Sequence, residues 1–174
     1  MLLSIVERTL LRELAAMRRS VEAYPDDASV WAERPGLPNA GGTLVLHIAG
    51  NLQHYLGHLL GGSDYRRDRA AEFARRDVTR DAMLADLHAA TEAVQRAFAL
   101  LTDETLVTPF PESVAGRTLP TGDVLVHLAT HLAYHLGQLD YHRRIVTGDT
   151  RGVAAVSPSV LAVDVDSSGA MTAR

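Results

Sequence analysis

Eight histidines and no cysteine set the chemistry open to this chain of 174 residues. Without cysteine there can be no disulfide, thiolate metal site, iron–sulfur cluster or sulfur nucleophile belonging to the protein itself. Metal chemistry, if there is any, falls to imidazole with help from carboxylates. The histidines are clustered. His54/His58, His127/His131 and His131/His135 each lie four residues apart, whereas chance placement gives about 0.4 such pairs. One helical turn sets side chains about 6 Å apart at Cβ and pointing the same way, so two imidazoles can converge on one ion at about 2.1 Å. A third imidazole from another helix leaves the ion's charge uncompensated and a coordination position open, which is a catalytic rather than a structural ligand set. The competing reading is that these groups satisfy one another by hydrogen bonding inside a helical core.

At 100° per residue, His47, Asn51, His54 and His58 fall within about 60° of one another, and His127, His131, His135, Gln138 and His142 within about 80°. In both segments a leucine stripe lies beside the histidine stripe, so burying the leucines turns the imidazoles toward the interior or its edge. Two such stripes on neighbouring helices can face each other, as in bundles that build metal sites from facing helices. His88 has no histidine at helical spacing and reads as an ordinary helix residue. His58 and His142 lie toward helix ends and read as solvated. The arginines Arg66, Arg67, Arg69, Arg75 and Arg76 read as a solvated linker whose charges pair with Asp68, Glu72 and Asp77.

Four amphipathic patterns must position these groups. The first carries Leu3, Val6, Leu10, Leu14, Met17 and Val21 and ends at Tyr24-Pro25-Asp26-Asp27. A loop with Pro35, Pro38 and the Gly41-Gly42 pair follows. The second runs from Thr43 to Leu60, stopped by Gly61-Gly62. The third is capped by Thr79 and carries Met83, Leu87, Ala90, Val94, Ala97 and Leu101. Residues 102–120 read as loop. The fourth is capped by Thr121, carries Leu125, Leu128, Leu132, Leu136 and Leu139, and closes at Gly148. Four helices of about 20 residues predict an all-α four-helix bundle over 1–148. The connection between the second and third spans about 60 Å when extended, enough to recross a whole helix, so an up-down-down-up order is allowed. Residues 149–174 form a tail in which Val160–Val165 can make a strand or pack on the bundle, and the last eight residues are expected to be disordered.

The net charge of -4, with 17 basic residues that are all arginine, offers no broad footprint for a nucleic-acid backbone. Three Phe, five Tyr and one Trp leave little for base stacking. No apolar run approaches the roughly 20 residues that span a bilayer. The N-terminus lacks a basic segment of the secretory type, which makes the cytoplasm the default location. Glu-x-x-His and His-Glu-x-x-His are both absent, against di-iron and zincin chemistry.

The strings His47-Ile-Ala-Gly-Asn51 and His131-Leu-Ala-Tyr-His135-Leu-Gly-Gln138 resemble the two signature segments of the DinB-like superfamily. Residues Arg67-Asp68-Arg69-Ala70-Ala71-Glu72-Phe73 resemble the linker of a subgroup with a His-x-x-Gly-Asn motif. The resemblance covers about residues 1–147. It implies an up-down-down-up bundle, usually a homodimer, with His47, His131 and His135 binding a divalent ion such as Zn²⁺ or Ni²⁺. Characterised members of the superfamily include thiol S-transferases and isomerases that use mycothiol or bacillithiol. Leu136 stands where Arg or Val is usual, a change that leaves the ligand set intact. The implied function is transfer of a low-molecular-weight thiol to a small electrophilic substrate. Metal-dependent hydrolysis and a non-enzymatic metal-binding stress-response bundle stay open beside it. Asn51 is a candidate for orienting substrate or metal-bound water, and His127 and Gln138 for fixing imidazole tautomers.

Overall fold

The amphipathic stripes form the expected helices in a computed structural model that describes residues 2–161, 164–165 and 171–172. Helix α1 spans Leu2–Glu22, α2 Asp27–Val30, α3 Gly41–Leu52, α4 Arg69–Ala74, α5 Arg80–Leu100 and α6 Thr121–Thr147. The four long helices bury their leucine faces in one core that includes Leu10, Leu14, Met17, Ile48, Leu52, Leu87, Leu128, Leu132 and Leu139. Each fully buried aliphatic side chain of this kind contributes about 1.5–3 kcal/mol before the entropy of ordering is counted.

Contacts at the helix ends fix the directions. The Arg80 N–H at the start of α5 donates to Asp27 Oδ1 at 3.0 Å, and its guanidinium reaches the Tyr24 carbonyl just past α1. Helix α5 therefore starts where α1 ends. Helices α1 and α6 end together, since the Tyr24 hydroxyl donates to His142 Nδ1 at 2.6 Å and Arg19 Nε to the Val153 carbonyl at 2.8 Å. Gly41, first residue of α3, sits against the Tyr24 and His142 side chains at that same end. Helix α3 and its continuation run alongside α5 in the same sense, with Gly57 against Ala93 and Gly61 beside Ala97. The order is up-down-down-up. Helices α1 and α3 each pack on both α5 and α6.

Several boundaries differ from the sequence reading, each for a packing reason. The Gly41-Gly42 pair is buried helix rather than loop, because a Cβ on Gly42 would overlap the Trp31 ring. Thr121 is the first residue of α6 and Pro120 its cap; the Thr121 hydroxyl donates to the Thr108 carbonyl at 3.1 Å. Gly148 does close α6, in the left-handed conformation at φ 71°. Thr79 caps α5 by accepting the Ala82 N–H at 3.3 Å. The second helix is not α-helical to Leu60. After Leu52 it widens into a π-helical segment, Gln53–His58, with Leu59 N–H bonding the His54 carbonyl and Gly61 N–H the Leu56 carbonyl. The loop at 102–120 contains a 3₁₀ turn, Asp103–Val107.

The segment after α6 is tied to the bundle at its start. Val153 is buried, and the fully buried Arg143 pairs with Asp140 at 2.9 Å and donates to the Arg151 carbonyl. Asp164–Val165 pairs antiparallel with Met171–Thr172. The rest of the expectation for Val160–Val165 and for the last eight residues falls largely on positions outside the described ones. Among the described residues, no helix is long and apolar enough to cross a membrane.

Candidate metal centre

His47 enters the centre from the middle of α3, and His131 and His135 from successive turns of α6, which runs antiparallel beside it. Their Nε2 atoms converge: His47 to His131 is 3.3 Å and His135 to His131 is 3.0 Å. One nitrogen from each lies within 4.8 Å of the others. Two nitrogens each about 2.1 Å from one tetrahedral ion sit about 3.4 Å apart, so the spacing fits a shared ion.

The outer nitrogens of His47 and His135 are held by acceptors, so that in the neutral rings the inner ones carry electron pairs, whereas His131 Nδ1 has no partner among the described residues. His47 Nδ1 faces Glu72 Oε2 at 3.0 Å; a carboxylate only accepts, so Nδ1 carries the proton. His135 Nδ1 donates to Gln138 Oε1 at 2.7 Å. Two lone pairs therefore point at His131 Nε2, which can answer only one by holding its own proton there. A cation answers all three. Burial lowers the His131 pKa to about 4, aided by the neighbouring His135, His47, His127 and Arg67. Burial also lowers that of His135, against the opposing hydrogen bond to Gln138. Both rings are neutral at neutral pH and available as ligands.

Glu72 is the residue the sequence reading mistook for part of a solvated linker. It lies on the short helix α4, is buried, and receives a two-pronged contact from Arg67, Nε to Oε1 at 2.7 Å and Nη2 to Oε2 at 2.9 Å. Burial alone would raise its pKa, but the hydrogen bonds from His47 and Arg67 outweigh it and hold the carboxyl below the usual range. Gly50 makes room for this carboxylate, since a Cβ there would collide with Glu72 Oε1. The glycine of His47-Ile-Ala-Gly50-Asn51 thus has a steric reason.

The other candidates separate. Asn51 is buried, lines the cleft beside His47 and His131, and its Oδ1 has no hydrogen-bond partner among the described residues. His127 is exposed; its ring stacks on His131 at 5.8 Å between centroids and holds no imidazole nitrogen of the centre. His54 turns away to Glu112 at 3.1 Å, and half-buried His58 donates to the Ser63 carbonyl at 2.6 Å instead of being solvated. His88 is exposed on α5. His142 is buried rather than solvated, accepting from Tyr24 and donating from Nε2 to the Ala32 carbonyl at 2.8 Å.

With this arrangement in view, a family model described as mycothiol S-transferase matches residues 5–148. The chain belongs to the mycothiol S-transferase family. The match takes in all three converging histidines, the α4 segment with Glu72, and α6 up to Gly148. This is a DinB-like family. No curated protein matches the chain. For this member of the mycothiol S-transferase family, the cleft at the centre measures about 220 Å³ and is lined by Asn51, Arg67, Arg69, His127 and His131 among others. Arg69 stands over the Phe73 ring at 5.0 Å, and Phe73 in turn flanks His47 at 5.0 Å. The cleft mixes polar groups with Tyr55, Val114, Val124 and Leu128, and Arg69 puts positive charge at its rim.

Proposed function

We propose that this protein is a divalent-metal-dependent transferase that passes a low-molecular-weight thiol to an electrophilic substrate. The observation that carries the reading is the convergence of three imidazoles, with the outer nitrogens of two held by Glu72 and Gln138, in a chain of the mycothiol S-transferase family. His47, His131 and His135 would hold the ion, with Zn²⁺ or Ni²⁺ suited to imidazole donors. A divalent ion bound there supplies the charge that deprotonates a coordinating thiol near neutral pH. The chain has no cysteine, so the reacting sulfur comes with a small molecule.

The chain's own residues have separable tasks. Glu72 and Gln138 fix the tautomers and orientation of His47 and His135. Arg67 keeps Glu72 ionised and in place. Asn51 lines the cleft beside His47 and His131, where its side-chain amide can orient the thiol. Arg69, at the rim, attracts a carboxylate or other anionic group on it.

Equilibrium dialysis with metal analysis is the first test, with about one ion per chain expected and none retained by His47→Ala or His131→Ala. The second follows consumption of free thiol with an electrophile such as N-methylmaleimide. The rate above the uncatalysed thiol–maleimide addition should require both the protein and its ion. Absence of any divalent-metal binding, or ester turnover that proceeds without a thiol, overturns the proposal.

A further inference from the structure

The groove between α3 and α6 has two unlike halves, one on each side of the three imidazoles. One half is the mixed cleft that carries Asn51, Arg67 and Arg69. The other is a mainly apolar cavity of about 450 Å³, open to solvent beside the exposed rings of Tyr134 and Tyr141, with Leu37, Pro38, Asn39 and Leu44 opposite and Gly137 and Gln138 on the α6 side. It adjoins the centre on both helices. Leu44 sits one turn before His47, the Tyr134 ring lies 5.3 Å from that of His135, and Gln138 both lines the cavity and bonds His135. Its size is that of a small-molecule site, about 300–1,000 Å³, and an apolar cavity of about 150 Å³ already holds one benzene ring.

We infer that this cavity binds the electrophile, and that the electrophile carries an apolar ring-sized body next to its reactive carbon. The inference rests on the transferase reading for its chemistry, but occupancy of the cavity is measurable without it. The walls are a leucine and a proline from the loop, a leucine of α3 and two tyrosine rings of α6, which favour a flat apolar group over a hydroxyl-rich or charged one. Arg67 and Arg69 in the first half offer the thiol's anionic groups cationic partners, and no arginine lines the second half. Gln138 spends its Oε1 on His135, leaving its amide N–H groups as donors at the boundary of cavity and centre. An acceptor oxygen beside the reactive carbon, such as a carbonyl, would meet them there.

Gly137 makes the test clean. Gly137 lines the cavity, and a Cβ there meets no atom within 4 Å, so a larger side chain is added at the cavity's edge without displacing the fold. The probe is 1-naphthol, an unreactive apolar ring system, titrated by isothermal calorimetry against the wild-type protein and the Gly137→Phe, Gly137→Ala and His47→Ala variants. Gly137→Phe should weaken naphthol binding at least tenfold, with unchanged circular dichroism and metal content. Gly137→Ala and His47→Ala should bind naphthol as the wild type does. In turnover, Gly137→Phe should raise KM for N-phenylmaleimide several-fold more than KM for N-methylmaleimide. Naphthol that fails to bind the wild type, or binds Gly137→Phe equally well, overturns the inference. Loss of the transferase reading looks different, because there metal binding or thiol dependence fails while naphthol still binds.

Discussion

The hydrogen bond from His47 to Glu72 is the residue-scale feature on which the centre depends most. A buried carboxylate fixes the tautomer of His47 and raises the ring's basicity, and partners of this kind are worth about 10–100-fold in metal affinity. Glu72→Gln keeps an acceptor but removes the charge. We expect metal affinity to fall by about 10–100-fold in this variant, as read by competition with a chromophoric chelator. Gly50→Ala should weaken binding in the same direction by displacing the carboxylate. The histidines and Gln138 were legible in the sequence because they recur at one-turn spacing on single helices. Glu72 was not, because it is 25 residues from His47 and its partnership is made by the path of the linker.

At the scale of elements, distance along one helix decides which histidines belong together. His54 lies two turns beyond His47, about 10 Å along the axis, and reaches Glu112 instead of the centre. Past Leu52 the helix widens into an i→i+5 turn, and His58 at its end bonds the Ser63 carbonyl. The start of the same helix is set by contact with a rigid ring. Trp31 is held by its indole N–H on the Val78 carbonyl at 2.8 Å and lies against Gly42. Gly42→Ala gains helix propensity of about 1 kcal/mol but forces a methyl into that ring. A net destabilisation of about 1–3 kcal/mol is expected from overpacking, measurable as a lower urea midpoint with an unchanged slope.

For the molecule as a whole, His142 joins α1, α6 and the loop after α2 through Tyr24 and Ala32. Burial lowers its pKa below the ordinary 6.5, against the raising effect of the Ala32 hydrogen bond, with Arg34 lowering it further. Below pH 6.5 the unfolded chain therefore binds a proton at this position that the folded chain refuses, and stability falls as pH drops. His142→Gln removes that proton linkage while leaving the other histidines in place. The stability advantage of wild type over His142→Gln should shrink between pH 7.5 and pH 5, as followed by urea denaturation at each pH. An advantage that is constant or grows on acidification would contradict a neutral, buried imidazole. The order of the helices also belongs to this scale. The long linker permitted up-down-down-up, and the contacts at Gly57–Ala93 and Gly61–Ala97 settle it.

Local spacing alone determined the four long helices, the stops at Gly61-Gly62 and Gly148, the pairing of His131 with His135, and the exclusion of protein thiol chemistry. Each of these depends on residues within a few turns of one another, where helix geometry fixes which side chains meet. Tertiary structure decided the rest: that His47 and not His54 joins the pair on α6, that a linker carboxylate orients it, that His142 is buried, and that an apolar cavity adjoins the centre. These depend on groups far apart in sequence, brought together by the burial of four leucine faces and by the path of the linker that carries Glu72.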